Sequence, residues 1–140
     1  VTNKKYVAAM DASIEDARRK QRFSGGPFRY GLLERWLTRS LEPGKGFKVK
    51  APKSFEPRPD RNLEPTLREF AEVHDKVLER IQRAQGLHLR RVKVNSVVTP
   101  WLRFSLGQTI AMIAAHDRRH LWQAWQVRKD PAFPGLTVGQ

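Results

Sequence analysis

The sequence predicts an all-α helical bundle built as a single domain. Three observations carry this. Apolar residues recur at spacings of three and four along three long segments and one short one. Clusters of Gly and Pro separate these segments, and alternating strand patterns are marginal. The chain of 140 residues, 39% hydrophobic and 29% charged, is long enough to bury one core. It has no apolar run near the ~20 residues of a membrane span, no internal repeat and no Gly-rich phosphate loop. The longest apolar stretch, around Ile110 to Ala115, reads as a buried helix segment.

The first helix is expected over about residues 2–21, where Tyr6, Met10, Ile14 and Ala17 share a face. Ser24, Gly25, Gly26 and Pro27 stop it. A shorter helix follows over about 30–40, with Leu33, Trp36 and Leu37 on one side. Residues 42–62 carry Pro43, Gly44, Gly46, Pro52, Pro57 and Pro59 and read as a long irregular loop, the kind that usually serves a site. The third helix opens at Asn62 as N-cap, with Glu64 and Pro65 in its first turn. Leu67, Phe70, His74, Val77 and Ile81 form its apolar stripe, and Gly86 ends it. A short extended piece is expected at residues 92–94. Ser105 to Gln108 forms a capping box that opens the last helix, which runs to about Lys129. Asp130 and Pro131 close it, and residues 130–140 form a tail.

Composition removes several function classes. Cysteine is absent, so there is no disulfide framework, thiolate metal site or cysteine nucleophile, and any metal must be held by His, Asp or Glu. The net charge of +13 raises nucleic acid, anionic lipid or an acidic partner. The cations are scattered, however, and no block of five or six occurs; the densest group is Lys45, Lys48, Lys50 and Lys53 in the long loop. A solvated basic surface is the favoured reading, and nucleic acid is disfavoured as a partner. Val1 to Val7 reads as the inside of a structured segment with no signal-peptide pattern, and a cytoplasmic protein is expected.

The sharpest motif is His116-Asp117-Arg118-Arg119-His120, inside the last helix. Two histidines one turn apart project from the same side and can share a divalent ion. Two ligands alone make a weak site. This is not the zinc-peptidase motif, which needs Glu directly after the first His; Asp117 stands there. Asp117 lies near the apolar line of Leu106, Ile110, Ile113 and Ala124. It is expected to be buried beside the site and paired with Arg118, Arg119 or a histidine of a neighbouring helix. His74 has two readings: a hydrogen-bonded core histidine, or a neighbour that faces His116 and His120. His88 follows Gly86 in a loop and reads as exposed. Trp36, Trp101, Trp122 and Trp125 read as core or dimer-face residues before they read as stacking platforms.

The run from Leu106 through Ala114, Ala115, His116, Asp117, His120, Trp122 and Ala124, ending in Phe133-Pro134, resembles the closing helix of the DinB/YfiT-like superfamily. Phe47, Ala51, Pro52, Phe55 and Pro57 are similar to the long loop of one DinB-like branch, and Thr2 to Tyr6 to its second helix. The resemblance implies a four-helix bundle in up-down-down-up order, often dimeric, here without its first helix. It implies one divalent metal, zinc or nickel, on three histidines, two of which match His116 and His120. The third would fall just before Val1 in this branch and is not in the sequence; His74, on a different helix, does not take that role. His74, Asp117 and Gln123 are expected to support the ligands. The resemblance also implies thiol transfer or hydrolysis on a small-molecule substrate, with the loop at 42–62 bordering the pocket and its lysines favouring an anion. Two rivals stand beside this reading: a non-catalytic helical scaffold with an incomplete metal site, and a basic polyanion- or nucleic-acid-binding protein.

Overall fold

Helix α1 (Thr2–Arg19) buries one stripe, in which Asn3, Tyr6, Val7, Met10, Ile14 and Ala17 return at intervals of three and four. Met10 and Ile14 are fully buried, each worth about 1.5–3 kcal/mol of apolar burial. The computed structural model describes residues 2–44, 62–99 and 101–133. Most of the predicted loop at 42–62, and the tail from Pro134, lie outside the described residues.

Helix α2 (Leu32–Ser40) is shorter than expected by two residues at its start. Glu34 fixes that start: one carboxylate oxygen accepts from the Gly31 N–H at 2.8 Å and the other from the Ser105 hydroxyl at 2.9 Å. Helix α3 (Leu63–Arg83) is capped as predicted, with the Asn62 side chain accepting from the Glu64 N–H. The expected extended piece is the first strand of an antiparallel hairpin, β1 (Lys93–Asn95) and β2 (Arg103–Ser105), which buries Val94 against Phe104. Helix α4 (Leu106–Arg128) follows without a break, and Ser105 caps it by accepting from the Gln108 N–H.

Side-chain pairings give the helix directions. Lys4 meets Glu69, Asp11 meets Arg80, and Arg18 meets the Arg83 carbonyl, so α1 and α3 run parallel. The start of α4 lies at the β1 end, where Leu106 N–H donates to the Val92 carbonyl, while Asp117 reaches back to Asn3. α4 therefore runs antiparallel to both. Down, down and up is the order of the last three helices in the expected bundle, with α2 as the crossover that parallel neighbours require. The core lies between α1, the second half of α3, the hairpin and the first half of α4.

Two apolar expectations need correction. Only Val77 of the α3 stripe is buried, and Leu67 and Phe70 are 58% and 51% exposed. α3 is seated on α1 through its second half, so the same periodicity that faces the core there faces outward nearer the N-terminus. The tryptophans do not fill the core either: Trp36, Trp101, Trp122 and Trp125 are all exposed. From His120 to Asp130 every residue is exposed, and Trp125 is partly covered by its own neighbours, the Arg128 and Lys129 cations.

Candidate metal centre

Helix α4 supplies the two histidines from consecutive turns. The Nε2 atoms of His116 and His120 face each other at 3.1 Å, and the rings meet edge to face. Two imidazole nitrogens on one ion at about 2.0–2.1 Å stand about 2.8–3.4 Å apart, from octahedral to tetrahedral angles. The observed separation falls within that range.

His120 is held in one orientation by its own helix. Its Nδ1–H donates to the Gln123 side-chain oxygen at 2.9 Å, which leaves Nε2 with a lone pair. Partial burial and the adjacent His116 ring push its pKa below the ordinary imidazole value, which favours the neutral form a metal needs. His116 has a buried Nδ1 without a hydrogen-bond partner. Asp117 Oδ1 lies 3.9 Å from it, too far for a hydrogen bond.

Asp117 ties three helices together. Asn3 Nδ2 donates to its two oxygens at 2.9 and 3.1 Å, from α1. His74 Nε2 lies 3.1 Å from Oδ2, from α3, while His74 Nδ1 donates to the Phe70 carbonyl at 2.8 Å. Burial pushes the Asp117 carboxyl up, but His116, Asn3 and His74 together outweigh it and hold the pKa below the usual carboxylate range.

The predicted residues thus form two linked groups. His116, His120 and Gln123 make one. His74 and Asp117 make the other, joined to the first through Asp117 beside His116. His74 bonds Asp117 and the Phe70 carbonyl and does not meet the pair: its ring is not hydrogen-bonded to His116 or His120. Arg118 and Arg119 do not pair with Asp117: Arg118 holds Glu42, and Arg119 donates to the Ser40 carbonyl. Asn3 was not foreseen. Its signal is an amide placed in register with the apolar stripe of α1, where an unsatisfied side chain would be costly. Among the described residues no group of three or more His, Asp or Glu side chains is disposed to hold an ion. The pair fits a metal as two ligands, and the described residues add no third.

A family model for the DinB superfamily matches residues 28–124, more than half of the chain. The chain belongs to the DinB superfamily. The match takes in α2, α3, the hairpin and α4 as far as Ala124, so His74, His116, Asp117, His120 and Gln123 all lie within the DinB-like span. No curated protein and no solved structure matches the chain. No helix among the described residues is long and apolar enough to cross a membrane.

Proposed function

We propose that this DinB-like protein binds one divalent cation, zinc or nickel, through His116 and His120, and that it serves thiol transfer or hydrolysis on a small-molecule substrate. The observation that supports this best is the convergence of the two Nε2 atoms at 3.1 Å, with the other nitrogen of His120 already donated to Gln123. A bound ion would act as a Lewis acid, lowering the pKa of a water or thiol so that it attacks at neutral pH. Gln123 holds the His120 ring, and Asp117, fixed by Asn3 and His74, sets the charge beside His116. The exposed Trp36, Trp122 and Trp125 support a homodimer as the working form.

The test is metal content per chain by elemental mass spectrometry on protein purified without added metal. About one equivalent is expected, falling below about a tenth in His116→Ala and in His120→Ala with helix content unchanged. If either variant keeps stoichiometric metal, the assignment fails.

One observation favours a second reading, a helical scaffold without catalysis: the described residues offer two ligands and no third. A chelator separates the two. An ion at about 100 times its Kd stabilises the native state by about 2.7 kcal/mol, so chelation lowers Tm only if the site is loaded.

A further inference from the structure

The two longest stretches of the chain without Asp or Glu are residues 17–33 and residues 80–116. They are far apart in sequence, and the fold brings them together. Phe23 and Leu87 form an isolated antiparallel bridge, in which Ser24 N–H donates to the Gly86 carbonyl and His88 N–H to the Arg22 carbonyl. The turn at 88–92 is then closed by Arg91 and Val92 N–H groups on the His88 carbonyl. The result is an open cavity of about 770 Å³ lined by Arg22, His88, Arg90, Arg91 and Lys93.

The backbone here is rigidly seated. Leu87, Val92 and Val94 are buried in the core, and Val92 is tied to the start of α4. Cations therefore alternate with apolar anchors, and their mutual repulsion is held in place by the fold. Helix C-termini attract cations, and the ends of α1 and α3 lie close by. That accounts for Arg18, which bonds the Arg83 carbonyl, and for Arg83, which pairs with Asp11. It leaves Arg22, Arg90, Arg91 and Lys93 with no carboxylate partner among the described residues. The one carboxylate lining the adjoining groove, Asp16, is taken by Arg19 and Lys20.

We propose that this cavity is an anion site for a small molecule carrying two adjacent phosphates. Three guanidinium groups offer paired N–H donors that match phosphate oxygens, and Lys93 adds a point charge. The open cavity has the volume of a small-ligand pocket, and its cations gather in one cluster, whereas a nucleic-acid strand is tracked by an extended basic stripe. It is also separate from the histidine pair. His116 is nine residues along α4 from Gly107, which bonds the Leu89 carbonyl, about 14 Å along the helix.

The probe is inorganic pyrophosphate, titrated calorimetrically into the full chain at about physiological salt. Chelator is present throughout, so that binding bridged by a metal on the histidine pair does not contribute. Saturable one-to-one binding is expected. The exposed double variant Arg91→Gln/Lys93→Gln should weaken it by about tenfold or more. The charge-matched control Arg128→Gln/Lys129→Gln, at the far end of α4, should change it by less than about twofold. Absence of saturation, or equal losses in the two variants, overturns the site in favour of bulk electrostatics. A twenty-nucleotide single strand that displaces pyrophosphate at physiological salt overturns the small-molecule assignment.

Discussion

Replacing Asp117 by Ala should destabilise the protein by about 2–3 kcal/mol, and replacing it by Asn by less than about 1 kcal/mol. The difference comes from what each side chain leaves behind. Asp117 accepts from Asn3 on α1 and faces His74 on α3, while itself standing on α4. Alanine strands the Asn3 amide and the His74 Nε2 in a half-buried position, at about 1–3 kcal/mol for each fully buried orphan and less with solvent access. Asparagine preserves both contacts. An amide is nearly isosteric with the carboxylate: its oxygen accepts from Asn3, and it keeps a polar atom within reach of His74 Nε2. Urea unfolding followed by circular dichroism, in chelator, measures both costs without metal linkage. The pH dependence is fixed in sign. The folded pKa of Asp117 is depressed, so the unfolded state binds the proton first. The advantage of wild type over Asp117→Asn is complete above the unfolded value of about 4 and is lost as pH falls through the lower folded value. An alanine cost below about 0.5 kcal/mol, or an Asn variant as damaged as the Ala variant, would show that this carboxylate does not join the helices.

Two further perturbations test the packing. Asp11 accepts from Arg80 Nε and Nη2 at 3.0 and 2.8 Å and from Arg83 Nη1 at 2.6 Å. Removing this fork with Asp11→Asn should cost about 1–2 kcal/mol, discounted for partial exposure, and lower Tm by about 3–8 °C. The Arg80 hydrogen bonds hold the Asp11 pKa down, so the difference from wild type, read in thermal melts, should fade below about pH 4. Gly107→Ala would place a methyl carbon 2.6 Å from the Phe28 ring, which stacks edge-on against Tyr30. The expected loss is about 1–3 kcal/mol by denaturant unfolding, and full recovery in Gly107→Ala/Phe28→Leu would place the clash at that ring.

The starts of α3 and α4 were legible because local chemistry decides them. Asn62 and Ser105 cap in the structure as their side chains require, whatever surrounds them. Hydrophobic periodicity was a weaker guide. It identifies a face but not how much of that face finds a partner: the α3 stripe predicts burial along its length, and only Val77, on the part seated on α1, is buried. The hairpin was half seen for a related reason: Val92 to Val94 places two apolar residues on one face, but Arg103 to Ser105 holds a single one, Phe104, and runs directly into a helix cap. The histidine pair was legible because i and i+4 on a helix must converge. Its supports divide in the same way. Gln123 is local to α4 and was foreseen, whereas Asn3 acts across 114 positions of sequence.

The basic cavity shows the limit most clearly. Along the sequence the densest group of cations is the lysines of the long loop. The cluster at Arg22, His88, Arg90, Arg91 and Lys93 depends instead on a bridge between residues 23 and 87, which no local pattern announces. Local sequence makes His88 an exposed loop residue, whereas in the fold it lines the cavity half-buried. What sequence does record is the absence of carboxylates on both sides of that bridge. A missing charge leaves no motif, yet its effect is electrostatic and acts through space. Two acid-free stretches become a single positive field only when backbone hydrogen bonds bring them within about a Debye length of each other.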